Sequence, residues 1–275
     1  MRKYILAVLV FIGVGLGIYL VSLTRDTCPL STISPAEKIE PIQKDNSLKD
    51  ALVLLKNRKD NDALVVFEKI LADEPGNLDA LWGKAEIKRR AHKYKEAQAL
   101  LSEILKQNPN HVSSLISLAY IRYKDDKLNE ALELINRAIN ASSSDKENEA
   151  LAYMMLGTIN SRRSATGWFF SKIRYGTQIK CYFLKAKELA PHLPEVHLGL
   201  GTFYLKAPAI VGGNLDKAVQ ELETAVRIAP DFATANARLA QAHKKKGNLG
   251  KYNFYIQRAR ELDSQNEALN ATETQ

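Results

Sequence analysis

The rhythm of apolar and polar positions changes twice along the chain. From Tyr4 to Leu23 (YILAVLVFIGVGLGIYLVSL) no position is charged. At 1.5 Å per residue, a helix of that length spans about 30 Å, the thickness of a bilayer's hydrocarbon core. Residues 28–43 follow, and the spaced prolines Pro29, Pro35 and Pro41 predict an extended linker. From Lys44 the pattern becomes that of amphipathic helices, and it recurs. Ala51, Ala85 and Ala119 stand 34 residues apart, as do Ala63, Ala97 and Ala131, and Pro75 and Pro109. Each unit reads as two helices, with small residues where they cross and a proline where the second ends.

The register places three units at 44–77, 78–111 and 112–145. In the fourth, 150–193, Gly157 takes the small position of the first helix, and its partners Phe183, Ala186 and Pro191 arrive about ten residues late. In the fifth, 194–232, Gly201 and Tyr204 precede Ala218, Leu222, Ala225 and Pro230, about five residues late. The sixth, 233–264, is marked by Ala240, Ile256 and Ala259, and 265–275 reads as a polar tail that frays. Arg162–Gly176 (RRSATGWFFSKIRYG) fills the delay in unit four, and Ala207–Asn214 fills that in unit five. Because units stack in order, both insertions are expected side by side on one edge. Trp168, Phe169 and Phe170 follow Gly167, and with Ile173 they predict the start of a short helix.

A 34-residue period with these small-residue columns resembles the tetratricopeptide repeat (TPR) family. The resemblance implies an all-α superhelical solenoid of about six helix-turn-helix repeats, whose first helices line a concave groove for a protein or peptide partner. Ala51, Ala63, Ala85, Ala97, Ala119, Ala131, Gly157, Gly201 and Ala218 are then structural, since they let helix backbones approach closely. The groove positions would be Trp82, Glu86, Arg89 and Arg90 in repeat two, and Ile116, Tyr120, Tyr123 and Lys124 in repeat three. Repeat four would add Met154, Thr158 and Arg162. Aromatics beside cations suit an extended peptide with acidic and apolar side chains; the other reading is that some of them pack against the next repeat. The chaperone-binding subfamily clamps a terminal carboxylate with Lys and Asn, but Asp45, Leu48, Trp82 and Gly83 occupy those positions here. A shorter run, Gly212, Gly213, Asn214, Lys217 and Ala218, is similar to the TPR family associated with tripartite periplasmic (TRAP) transporters. Within it, Gly212-Gly213 predicts a turn and Asn214 an N-cap.

Charge refines this reading. The chain's net charge is +8, yet Asn160–Lys187 holds seven Lys or Arg and no acid, so the surplus is a local patch. Arg163, Trp168, Phe169, Phe170, Lys172 and Arg174 therefore make a candidate docking loop for an acidic partner or an anionic membrane surface. The alternative is that the aromatics fold back and cap a gap between repeats four and five. No nucleic-acid motif accompanies the patch. Cys28 and Cys181 make no disulfide framework, and His92, His111, His192, His197 and His243 lack ligand spacing. Gly212-Gly213 lacks the Gly-Lys-Ser/Thr of a phosphate-binding loop. No cofactor, metal or catalytic constellation is expected.

Arg2 and Lys3 precede the apolar run, whereas Arg25 and Asp26 cancel after it. The positive-inside rule then keeps the N-terminus in the cytoplasm, makes 1–27 a single-pass signal anchor and places the repeats outside the cytoplasm. A cleaved signal peptide and a lipoprotein anchor at Cys28 are the alternatives. The expected function is a membrane-anchored scaffold in assembly of an envelope complex. The alternatives are an accessory of a TRAP-like solute transporter and an assembly factor for pilus, secretion or cell-wall machinery.

Overall fold

A computed structural model describes residues 46–142, 144–165 and 169–270, with side-chain environments for all of these except 46, 165 and 169–177. They belong to one compact unit, 37–275. The apolar run 4–23, the linker 28–43 and Trp168 lie outside the described residues. Among the described residues no helix is long and apolar enough to cross a membrane.

The described residues form thirteen α-helices and one 3₁₀ turn. Six hairpins come in order: α1 (Asn46–Lys56) with α2 (Asp60–Asp73), α3 (Leu78–Arg90) with α4 (Tyr94–Gln107), and α5 (Val112–Lys124) with α6 (Leu128–Ala141). Then follow α7 (Lys146–Ala165) with α8 (Phe169–Leu189), α9 (Pro194–Lys206) with α10 (Leu215–Ile228), and α11 (Ala233–Lys245) with α12 (Leu249–Leu262). A last short helix is α13 (Glu267–Asn270). Successive first helices, α1, α3, α5, α7, α9 and α11, touch one another, whereas successive second helices do not approach. The first helices are therefore the inner layer of a curved array.

Local chemistry sets these boundaries. Asn77 opens α3 by accepting from Ala80 N–H at 3.0 Å; Asp79 stands in its first turn, and Lys88, Arg89 and Arg90 stand in its last, matching the helix dipole. At the other end the chain reverses through a left-handed residue. Arg58 (φ 61°), His92 (φ 59°), Asp126 (φ 61°) and Gly247 (φ 76°) each follow a first helix. The amide after each donates five residues back: Lys59 to Leu54, Lys93 to Lys88, Lys127 to Arg122 and Asn248 to His243, at 2.9–3.0 Å. This is the Schellman stop usually built on glycine. In three of the four repeats a long or charged side chain stands there instead.

The small columns are the crossing points. Ala51, Ala63, Ala85, Ala97, Ala119, Ala131 and Ala218 are wholly buried, and Gly157 and Gly201 are buried with them. A methyl group on Gly201 would come 2.7 Å from Leu222, and one on Gly157 would come 3.0 Å from Phe183. Gly83, outside the small-residue columns read from the sequence, is tighter still: its Cβ would stand 2.2 Å from the Phe67 ring.

Three expectations need correction. The insertion in repeat four does not make a loop with a short helix. It lengthens both helices, to 20 and 21 residues against 13 and 14 in the other full-length repeats from α3 onward. The hydroxyls leading into it are satisfied within α7: Thr158 Oγ on Met154 O, Ser161 Oγ on Gly157 O and Ser164 Oγ on Ser161 O, at 2.8–2.9 Å. Second, repeat four starts at Lys146 rather than 150, since Asp145 accepts from Asn148 N–H at 3.1 Å and caps α7. Third, the tail does not fray from 265. Ala268 and Leu269 are buried, and α13 contacts α11 as the first helix of a seventh unit would. Glu267 lies 34 residues after Ala233, and Asn266 repeats the capping role, accepting from Ala268 N–H at 3.1 Å. In repeat five, Ala207–Asn214 folds as a 3₁₀ turn over Ala209–Val211 that packs against α8; Gly212 is left-handed, and Asn214 caps α10 by accepting from Lys217 N–H at 2.9 Å.

Candidate partner-binding face

The expected groove residues lie on the inner helices, but the N-terminal ones are engaged with one another. Glu86 is buried on α3 and receives Arg89 through Nε at 2.8 Å and Nη2 at 2.5 Å. Arg90 Nε at 3.1 Å and Ser117 Oγ at 3.0 Å also donate to it. Burial alone would raise the Glu86 carboxyl, but the two guanidinium groups and the hydroxyl outweigh it and hold it at about 2. Arg90 continues to Leu55 O at 2.9 Å and Asp60 at 2.7 Å, tying repeat two to repeat one. Half-buried Trp82 donates Nε1–H to Ser117 Oγ at 3.1 Å. Glu86, Arg89 and Arg90 thus act first as a buried network that joins the first three repeats.

Further along, the face opens. Tyr120 and Tyr123 on α5 are half-buried, with ring centroids 6.4 Å apart. The Arg89 guanidinium lies 4.2 Å over Tyr120, and that of Arg162 lies 5.0 Å over Tyr123. Arg162 is exposed and pairs with Asp126 at 3.0 Å. Half-buried Ile116 packs into the apolar clusters beneath α5, and Met154 packs against Ile179, Phe183 and their neighbours. Both are core-facing more than groove-facing. Thr158 spends its hydroxyl on Met154 O. Lys124 pairs with Glu267 of α13. Arg163 is exposed near the end of α7, while Phe169, Phe170, Lys172 and Arg174 fall in α8, where side chains lie outside the description, and Trp168 lies outside it altogether.

What the sequence did not suggest is a seam between distant repeats, made by the left-handed turn residues. Arg58 pairs with Glu195 at the start of α9 and lies 3.9 Å over the Phe232 ring at the start of α11. His92 Nε2 lies 3.1 Å from Asp263, just after α12, and Nδ1 lies 3.0 Å from the Tyr94 hydroxyl. Asp126 holds Arg162 of the following repeat. Lys56 pairs with Glu147 at 2.5 Å, and Glu147 also meets His192 at 2.8 Å. The closing ends of α1, α3 and α5 therefore meet the opening ends of α7, α9, α11 and α13. The available signal was the 34-residue spacing of Arg58, His92 and Asp126, three different residue types in one column.

No three His, Cys, Asp or Glu side chains gather as metal ligands among the described residues. A second buried group, Glu221 with His197 Nδ1 and Lys187 each at 2.7 Å, links repeats four and five and is sealed by His197 Nε2 against Pro191 O at 2.8 Å.

Comparison with known proteins bears on the fold. The family model for the tetratricopeptide repeat matches residues 54–117 and 88–152. No curated protein matches the chain. Among solved structures, the human IFIT1 dimer with m7Gppp-AAAA is similar at 19% identity, covering 82% of this chain and 52% of its own, with a TM-score of 0.59. A chain of the APC/C hetero-tetramer Cut9-Hcn1 shows 14% identity over 82% of this chain and 41% of that one, with a TM-score of 0.56. PilW, a widely conserved type IV pilus biogenesis factor, shows 15% identity over 83% and 97%, with a TM-score of 0.49. Residues 54–152 match the tetratricopeptide repeat by sequence, and the described part of the chain is an all-helical TPR solenoid.

Proposed function

We propose that the protein is a membrane-anchored, extracytoplasmic scaffold whose inner helical face binds a partner protein or peptide during assembly of an envelope complex. The anchor and its orientation rest on the uncharged run 4–23 behind Arg2 and Lys3. The binding role rests on one observation: beyond the Glu86 network the inner face shows Tyr120, Tyr123 and Arg162 partly open to solvent rather than sealed in core. Aromatic rings and guanidinium groups are the side chains that most often carry partner affinity.

The full chain, tagged and isolated from host membranes, should bring down a stoichiometric partner, and Tyr123→Ala/Arg162→Ala should lose it at an unchanged melting temperature. Retention of the partner by that double variant would remove the inner face from consideration. Alkaline phosphatase fused after Gln275 should be active in a bacterial host; an inactive fusion would reverse the topology.

A further inference from the structure

Most cations of the inner face have a carboxylate. Arg58 has Glu195, Arg89 and Arg90 have Glu86, Lys124 has Glu267 and Arg162 has Asp126. Three do not: Lys206 at the end of α9, and Arg238 and Lys245 on α11. No Asp or Glu lies within ion-pair distance of them among the described residues. The structure nevertheless holds them together. Lys245 Nζ donates to Leu205 O at 3.3 Å, which sets it beside Lys206. Arg238 is half-buried and fixed through Nη1 to Gln241 Oε1 at 2.9 Å, and Gln241 is itself held by Ala268 O at 2.6 Å. Tyr123 lies close enough to Arg238 to interact with it electrostatically.

Gathering like charges without a counter-charge is unfavourable, and the cluster shows the cost. Lys206 is exposed overall. Loss of hydration first, then Arg238 and Lys245, push it down to about 8. An anion placed there would relieve the repulsion.

We infer that Lys206, Arg238 and Lys245 form an anion-binding subsite for an acidic segment of the partner polypeptide. This deepens, and rests on, the scaffold reading above. The spacing selects the ligand. Arg238 and Lys245 are seven residues apart on one helix, about 10 Å along its axis. A polypeptide in the polyproline-II conformation, at about 3.1 Å per residue and three residues per turn, places two acidic side chains three positions apart on one face across that distance.

The test uses the full chain in detergent and a fluorescent peptide of three Glu-Ala-Ala units, with the Gln-Ala-Ala peptide as control. The Glu peptide should bind at least tenfold more tightly than the Gln peptide, and more weakly as salt rises. Lys206→Glu/Lys245→Glu should abolish the preference, and Lys206→Gln/Lys245→Gln, which keeps both stems, should reduce it at least fivefold with the melting temperature unchanged. Equal binding of the two peptides, an unchanged preference in the neutral variant, or tighter binding of a single-stranded oligonucleotide would overturn the subsite. Capture of the membrane-isolated partner separates this from the scaffold reading. If wild type and neutral variant capture it equally, the scaffold stands and the subsite fails. If wild type captures nothing, the scaffold reading fails, and a surviving Glu-peptide preference would still establish the anion site.

Discussion

Glu86 shows how much one buried carboxylate can do. It accepts from two arginines and a serine on two helices, and its pKa is held at about 2 against an ordinary 4.5. A carboxyl with a depressed folded pKa stabilises fully above its unfolded value, and that contribution is lost as pH falls from about 4.5 towards 2. A shift of this size corresponds to on the order of 3 kcal/mol. Glu86→Gln should therefore lose on the order of 3 kcal/mol at pH 7 and match wild type near pH 2, read by urea denaturation across pH. A difference that does not depend on pH would show that packing, not charge, is what the variant lost. The left-handed turn residues give a sharper contrast, because the same strain supports contacts of different worth. A non-glycine residue at positive φ costs roughly 1 kcal/mol. Asp126 gains only an exposed pair with Arg162, worth about 0–1 kcal/mol. Arg58 gains a pair with Glu195 and the face of Phe232, with its side chain only 13% exposed. Asp126→Gly should leave stability equal or higher, whereas Arg58→Gly should lower it by about 2 kcal/mol or more. The opposite order in urea midpoints would mean the seam contributes nothing.

Helices carry the repeat, and most of them were legible before the structure. The small columns worked as signals because a buried crossing point tolerates little volume, so Ala and Gly recur there whatever surrounds them. The long α7–α8 hairpin is hard to foresee: Gly167, Gly176 and the serines near them look like loop chemistry, yet α7 runs to Ala165 with the hydroxyls of Thr158, Ser161 and Ser164 satisfied on its own carbonyls. The polar residues around α13 disguise it as a tail, although Asn266 and Glu267 stand in register. Its docking is specific enough to test. Leu269 is 5% exposed among Ala237, Ala240 and Ile256. Leu269→Asp should cost up to about 2 kcal/mol, limited by local detachment, and should speed hydrogen exchange in α11 near Gln241. Exchange no faster than wild type would return 265–270 to the status of a tail.

At the scale of the whole molecule, the array departs from a chain of neighbours. In an ordinary solenoid each repeat touches only the next. Here Arg58 reaches a residue 137 positions on, and His92 one 171 positions on. No local pattern foretells such pairs, since neither partner is unusual in its own helix; only winding brings the two edges together. The seam also sorts the candidate site. It and the Glu86 network absorb much of the charge in the first two repeats, so the expected residues Glu86, Arg89 and Arg90 serve the fold. The proposed binding surface accordingly centres on Tyr120, Tyr123, Arg162 and the α9–α11 cations. Lys206, Arg238 and Lys245 left little trace in the sequence, because a lysine or arginine on a helix is commonplace until its partners are known. Site-specific photo-crosslinking in host membranes would show directly whether the inner face holds the partner. A benzophenone side chain would replace Tyr123, on the inner face, or Val65, which is 70% exposed on the second helix of repeat one. A crosslinked polypeptide is expected from position 123 and none from position 65. A product from position 65 alone would place the binding surface on the outside of the array and contradict that expectation.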